Sequence, residues 1–128
     1  MSIVKKIICT VFVLLTLGLL GGCSKVSDED LRAAHKAYEK GAVIIDVRSK
    51  EEFKEGHIKG AMNIDIAVLD KSYSKIPKNR EVIVYCRSGS RSMVAKRFLS
   101  EQGWTVHDVA TQGDWAREIP PAPVKEVK

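Results

Sequence analysis

Residues 82–99 read VIVYCRSGSRSMVAKRFL. The run Val82–Tyr85 is apolar without alternation and rich in β-branched residues, which predicts a strand covered on both faces, as in a parallel sheet. From Ser92 to Gln102 the pattern turns helical, with Val94, Ala95, Phe98 and Leu99 expected on the buried side and Gly103 as the stop. Between strand and helix lies Cys86-Arg87-Ser88-Gly89-Ser90-Arg91. Small residues and one glycine let such a loop curl until its backbone N–H groups share a centre, a nest for an anion. The helix that follows adds its free N–H groups and the positive end of its dipole. A thiol at that centre, with Arg87 and Arg91 close in sequence, is expected to ionise more readily than an ordinary cysteine and to act as a nucleophile.

Working outward, Val43–Val47 (VIIDV) is a second buried run. Ahead of it, Ser27 caps a helix from about Asp28 to Lys40 that Gly41 stops, with Leu31, Ala34 and Tyr38 expected on one face. After it, Ser49 and Glu52 form a capping-box pattern for the short helix SKEEFKE, ended by Gly56. A loop then leads to an extended piece at Met62–Ile64, and Ile66–Tyr73 has room for one or two helical turns. Pro77–Arg80 make a turn before the Val82 strand. Trp104–Val109 is expected as a further strand, and Gly113–Trp115 open a last turn before Pro120, Pro121 and Pro123 rule out helix. Strands alternating with helices at this spacing predict an α/β domain, an open and mostly parallel central sheet with helices on both faces. Ligands of such sheets bind outside the carboxyl ends of the strands, which is where Cys86 sits.

The other polar positions have structural readings. Asp46 lies inside an apolar strand, so if buried and ionised it needs hydrogen-bond donors or a cation. Arg48 is placed to pair with Glu52. His57 invites a role as base for Cys86, but a thiolate held by loop dipoles needs none. His35 falls in an exposed helix and His107 in a strand, without metal-ligand spacing, so neither metal nor cofactor is expected.

The chain has 128 residues, 45% hydrophobic and 29% charged, the composition of an ordinary globular protein. Its formal charge is +5, two of it from Lys5 and Lys6. The remaining basic residues are interspersed with Asp and Glu and only 6% of residues are aromatic, which argues against nucleic acid as a partner. Lys5 and Lys6 precede a 14-residue apolar run, Ile7–Leu20, and then Gly21, Gly22 and Cys23. That is the grammar of an export signal, too short for a bilayer-spanning helix of about 20 residues. LGGC, residues 20–23, resembles the bacterial lipobox, which implies a lipid-modified Cys23 as the first residue after cleavage, and acyl chains in number give stable membrane anchoring. Ser24 resembles the outer-membrane default of a Gram-negative cell. The expected organisation is thus a signal over 1–22, a lipidated start and tether over 23–27, a domain over 28–120 and a tail over 121–128, lipid-anchored in the bacterial cell envelope, on the periplasmic side of the outer membrane if the cell is Gram-negative. Cys9 would leave with the signal and Cys23 would carry lipid, so Cys86 would be the one free thiol.

CRSGSRS resembles the active-site loop of the rhodanese family, a catalytic cysteine, four variable residues, then Arg or Thr. Residues 44–64, IIDVRSKEEFKEGHIKGAMNI, resemble that family's other signature through Asp-Val-Arg, Glu-Phe, Gly-His-Ile and Asn-Ile. The resemblance runs in order over residues 27–120 and implies a single-domain sulfurtransferase in lipoprotein form. It assigns Cys86 as the sulfur acceptor and Arg87, Ser88, Gly89, Ser90 and Arg91 as the loop that cradles a persulfide. A basic residue at the position of Arg87 goes, in that family, with thiosulfate as the donor. The implied partners are a small-molecule sulfur donor and an acceptor, cyanide or a thiol, on a small molecule or a protein. The family usually has two adjacent glycines before its last tryptophan, whereas Gln112 and Gly113 precede Trp115 here. A cysteine phosphatase uses similar loop logic but needs its arginine at position 92, which is serine; Arg91 comes one residue too early, leaving room for a smaller group. A sulfur carrier or partner-binding module without turnover has the same loop and stays open.

Overall fold

The computed structural model describes residues 26–122. The expected export signal, the lipidated Cys23 with most of its tether and the last residues of the tail lie outside that range. The elements in chain order are α1 (Asp28–Glu39), β1 (Val43–Asp46), α2 (Lys50–Glu55), β2 (Met62–Asn63), a 3₁₀ turn at Ile66–Val68, α3 (Leu69–Ser72), a second 3₁₀ turn at Tyr73–Lys75, β3 (Val82–Cys86), α4 (Ser90–Glu101), β4 (Val106–Thr111) and α5 (Gln112–Ala116). The four strands form one sheet in the order β2-β1-β3-β4, every pairing parallel. This is the α/β architecture that the strand and helix alternation predicts.

Residues that alternate along β1 and β3 separate into two cores. Ile45, Val47, Val82, Val84 and Cys86 face a layer with Leu69, Ile76, Ala95, Leu99 and Trp104. Ile44, Ile83 and Tyr85 face the other way, onto Leu31 and Ala34 of α1. Two apolar faces explain why both strands read as unbroken hydrophobic runs.

The helices differ from their predicted faces in two places. On α1 the buried stripe is Leu31, Ala34 and Ala37, while Tyr38 is 47% exposed and meets Trp115 edge-on. A three-residue step closes the narrow stripe on alanine and leaves the larger tyrosine at the margin. On α4 the buried residues are Ser92, Ala95 and Leu99, with Phe98 partly covered, and Val94 is exposed. The helix also begins at Ser90 rather than Ser92, because Gly89 already serves as its cap. The last strand lies two residues later than predicted: Trp104 is a buried wall whose indole N–H donates to the Pro77 carbonyl, and the ladder proper begins at Val106.

Asp46, wholly buried, is met by four kinds of donor. Arg48 gives its backbone N–H at 2.9 Å, its Nε at 3.0 and 3.1 Å and one terminal nitrogen at 2.6 Å, and the Tyr85 hydroxyl donates at 2.7 Å. The spacing explains the cluster. Residues two apart on an extended chain share a face, which joins Asp46 to Arg48, and the register of β1 on β3 places Tyr85 opposite Asp46. Arg48 therefore pairs with Asp46 and not, as expected, with Glu52; Glu52 lies beyond the turn that starts α2 and is bonded elsewhere. Burial, then the bond to Asp46, push the Tyr85 phenol up to about 12, so it remains an O–H donor. Its oxygen in turn accepts the Ile58 N–H at 3.1 Å. Arg48 also donates to the Gly56 carbonyl at 2.7 Å, and Asn63 donates to the carbonyls of Asp46 and Arg48 at 3.1 and 2.9 Å. One buried ion pair thus ties β1, β3 and the 56–63 connection together.

Removing one partner of such a pair leaves the other buried and unpaired. Asp46→Ala is expected to lose about 3–5 kcal/mol of unfolding free energy by chemical denaturation, and Tyr85→Phe, which removes one hydrogen bond, about 1–2 kcal/mol. A loss below about 1 kcal/mol for Asp46→Ala would show that the cluster does not carry the fold.

Candidate active site

Cys86 is the last residue of β3 and only 1% exposed, yet it is one of the residues lining an open cleft of about 370 Å³, with Arg48, Glu55, Gly56, Arg87, Thr111, Gln112 and Gly113. The loop behind it reverses at Gly89, whose φ of +95° lies in the left-handed region, and α4 starts at once. This reversal aims the Gly89 N–H at Cys86 Sγ at 3.0 Å and the Ser92 N–H at 3.4 Å. The left-handed backbone itself favours glycine at position 89, and a Cβ there would also make a tight contact, 3.2 Å, with that of Ala110.

Ala110 is itself left-handed, with φ of +57°. It sits where β4 bulges, so that Val84 faces Asp108 but Cys86 faces Thr111, and its N–H is taken by the Asp108 carboxylate at 2.9 Å. A non-glycine residue in that region costs about 1–2 kcal/mol. The bulge sets Thr111 beside the cysteine. Thr111 then caps α5, its hydroxyl oxygen accepting the Asp114 N–H at 3.0 Å, which aims Gln112 and Gly113 into the cleft wall.

Burial alone would push the Cys86 thiol up. Hydrogen bonds from the Ser92 side chain and from the backbone N–H groups of Ser92, Gly89 and Ser88 outweigh it and bring the group below its ordinary value. Ser92 Oγ lies 3.6 Å from Sγ and 3.0 Å from the Gly89 carbonyl. A hydroxyl has a single proton, so with the thiol protonated Ser92 accepts from S–H and donates to Gly89, and on ionisation it can turn that proton to the sulfur.

The structure distributes the sequence-predicted residues unevenly. Cys86 and Arg87 line the cleft, and Gly89 acts through its N–H. Ser88 and Ser90 bond to each other at 3.0 Å and line, with Gly89, a separate depression shared with Val26, Met93, Asp108 and Ala110. Arg91 makes a two-pronged pair with Glu52 at 2.7 and 3.0 Å. Arg87 reaches Glu52 at 3.1 Å and Glu55 at 3.7 Å, its side chain 63% exposed. Glu52 also completes the capping box with Ser49, at 3.0 and 3.2 Å, and Arg91 first, then the Ser49 N–H, hold its carboxyl well below the usual carboxylate range. The thiolate is therefore stabilised by hydrogen bonds at short range, and Arg91 adds only a through-space attraction. His57 stacks on Phe53 and its Nδ1 donates to the Phe53 carbonyl at 2.8 Å; it is not among the cleft-lining residues.

A family profile described as Rhodanese-like domain matches residues 30–111. The chain belongs to the rhodanese-like family. Over 63 residues, 48% of this chain and 61% of the relative, it is 43% identical to the thiosulfate sulfurtransferase PspE of Escherichia coli. Over 74 residues, 56% of this chain and 40% of the relative, it is 34% identical to the putative sulfur carrier protein YrkF of Bacillus subtilis. The chain thus spans between two and three fifths of the length of these two curated relatives. Among solved structures, a rhodanese-related protein of Thermoplasma volcanium superposes with a TM-score of 0.59 at 30% identity, covering 76% of this chain and 94% of that one.

In this rhodanese-like domain the sequence pattern left Arg48, Glu52, Glu55, Gly56, Ser92, Thr111, Gln112 and Gly113 unassigned to the site, and the structure brings them to the cleft or to the groups around Cys86. Gln112 stands where the family usually has a glycine; its side chain joins the cleft wall and donates to the Gly56 carbonyl at 3.3 Å. Ser92 lies six residues after Cys86 and two past the start of α4, where its N–H and hydroxyl reach Sγ; in the sequence the position stands out only as a helix start and as the place where a phosphatase loop needs arginine. The bonds from Glu52 to Arg87 and Arg91 span 35 and 39 residues, and no local pattern announces them.

Proposed function

We propose that the domain is a sulfurtransferase that carries a sulfane sulfur on Cys86. The Cys86 thiolate attacks the outer sulfur of thiosulfate or a related donor; a new S–S bond forms, the bond inside the donor breaks, and sulfite departs with the electron pair. Cyanide or a thiolate then attacks the terminal sulfur of Cys86-S-S⁻, taking it as thiocyanate or a new persulfide and returning the thiolate. This is covalent catalysis by double displacement. The observation that carries the reading is a cysteine lining an open cleft, with two backbone N–H groups already aimed at its sulfur. Donors fixed in that way stabilise negative charge without reorganising during reaction. The names of the relatives, a thiosulfate sulfurtransferase and a putative sulfur carrier, support sulfur chemistry and leave catalyst and stoichiometric carrier as the two forms of it.

Intact mass of the purified domain is expected to rise by one sulfur atom after thiosulfate and to return after cyanide, with sulfite and thiocyanate formed in many equivalents per protein. Cys86→Ser is expected to abolish both changes. One equivalent of sulfite and no more would make the protein a carrier, and sulfur uptake by Cys86→Ser would end the mechanism.

We further propose that residues 1–22 export the domain and that a lipid on Cys23 holds it in the cell envelope. Cys23→Ala is expected to release the protein from membranes or to leave it as an unprocessed precursor. Unchanged membrane association and mature mass in that variant would reject the anchor.

A further inference from the structure

The cleft around Cys86 is rich in arginine, yet each guanidinium is already matched by a carboxylate. Arg48 is spent on Asp46 and the Gly56 carbonyl, Arg91 on Glu52, and Arg87 on Glu52 and Glu55. Of these carboxylates, Glu55 is the one that itself lines the cleft. It projects from the last turn of α2, its side chain 71% exposed, 3.7 Å from Arg87. Among the described residues, the cleft-lining Arg48 and Arg87, with Arg91 joined to Arg87 through Glu52, thus face Asp46, Glu52 and Glu55, and Asp114, bonded to the cleft-lining Thr111, is a fourth carboxylate; ionised Cys86 adds to the negative excess. Gln112, bonded to the Gly56 carbonyl next to Glu55, adds no charge.

Such a cleft is poorly suited to a dianion. A donor with two negative charges meets the Glu55 carboxylate on the way to Cys86, and it must draw Arg87 away from Glu55 and Glu52 to gain a cation of its own. Both costs scale with donor charge. We propose that Glu55 is a specificity-determining residue of this site: by adding its negative charge to the cleft and holding Arg87 at its rim, it favours sulfane-sulfur donors with one negative charge or none, such as thiosulfonates and persulfides of small thiols, over dianions such as thiosulfate. The inference rests on the sulfurtransferase reading. It concerns which donor is admitted, whereas the attack by Cys86 and the bond broken in the donor are unchanged.

Because Glu55 is exposed and lies at the carboxyl end of a short helix, where a negative charge is unfavourable, Glu55→Gln removes the charge without threatening the fold. The test compares thiosulfate with benzenethiosulfonate, a monoanion with the same transferable sulfur, in steady-state turnover with cyanide at low ionic strength. Glu55→Gln is expected to raise kcat/KM about fivefold for thiosulfate and about twofold for benzenethiosulfonate, as Coulomb interaction over a few ångströms of wet cleft implies. Both gains are expected in KM rather than kcat and to shrink as salt is added. Glu55→Asp, which retains the charge, is expected to retain the wild-type ratio of the two donors. Equal gains for both donors, a gain confined to kcat, or no gain at all would overturn the role of Glu55. Failure of the wild-type domain to release product from either donor would instead overturn the transfer reaction itself.

Discussion

A wholly buried carboxylate is tolerated only where donors surround it, and Asp46 has Arg48 and Tyr85 for that purpose. The same guanidinium that neutralises Asp46 reaches the Gly56 carbonyl, and Gly56 forms part of the cleft wall. A charge pair of this kind adds little net stability compared with a well-packed apolar pair. What it adds here is position. β1 and β3 are held in register through Asp46 and Tyr85, the chain beyond α2 is held to both through Arg48, Ile58 and Asn63, and α2 is thereby set where Glu52 can meet Arg91 and Arg87 of the next crossover. The pair thereby fixes the part of the cleft wall that Arg48 and Gly56 supply.

The reactive end depends on two left-handed residues that meet. Gly89 must reverse the chain to bring N–H groups onto Cys86 Sγ, and Ala110 must bulge β4 so that Thr111 and Gln112 face the cleft. Their Cα regions are close enough that a side chain on Gly89 would press on Ala110. The loop that activates the thiol and the strand that shapes the opposite wall therefore form one packed unit, and Cys86 is polarised by fixed backbone groups rather than by mobile cations. Arginines paired with Glu52 and Glu55 stay at the rim, where they can respond to what enters.

Much of this was legible in the sequence. The unbroken runs at Val82 and Val43 revealed strands buried on both faces, the Ser49–Glu52 spacing revealed a capping box that the structure contains, and the order of strand, small-residue loop and helix put Cys86 at a strand end before a helix start, where it lies. The Asp46-Val47-Arg48 spacing already places acid and base on one face of an extended chain, so the buried pair is readable from the pleat alone; Glu52, four residues on and in the next helix, is a false competitor. Other features depend on register between distant segments. Tyr85 opposite Asp46 and the bulge at Ala110 follow from how strands align, Arg91 on Glu52 from how two crossover helices then meet, and Tyr38 and Val94 lie outside the buried stripes because a helix of 3.6 residues per turn leaves neighbouring apolar residues at the margin.

The central claim is that backbone and hydroxyl donors from the loop and the start of α4, acting together, ionise Cys86. The most direct measurement is a spectrophotometric titration of the Cys86 thiolate by its ultraviolet absorbance, in the wild-type domain and in Ser92→Ala. A thiol loses its proton as pH rises, so stabilising the thiolate moves the midpoint to lower pH. The account predicts a wild-type midpoint below the ~8.5 of an ordinary cysteine and a clear upward move when the Ser92 hydroxyl is removed. A wild-type midpoint at or above that ordinary value, or one indifferent to Ser92→Ala, would contradict it.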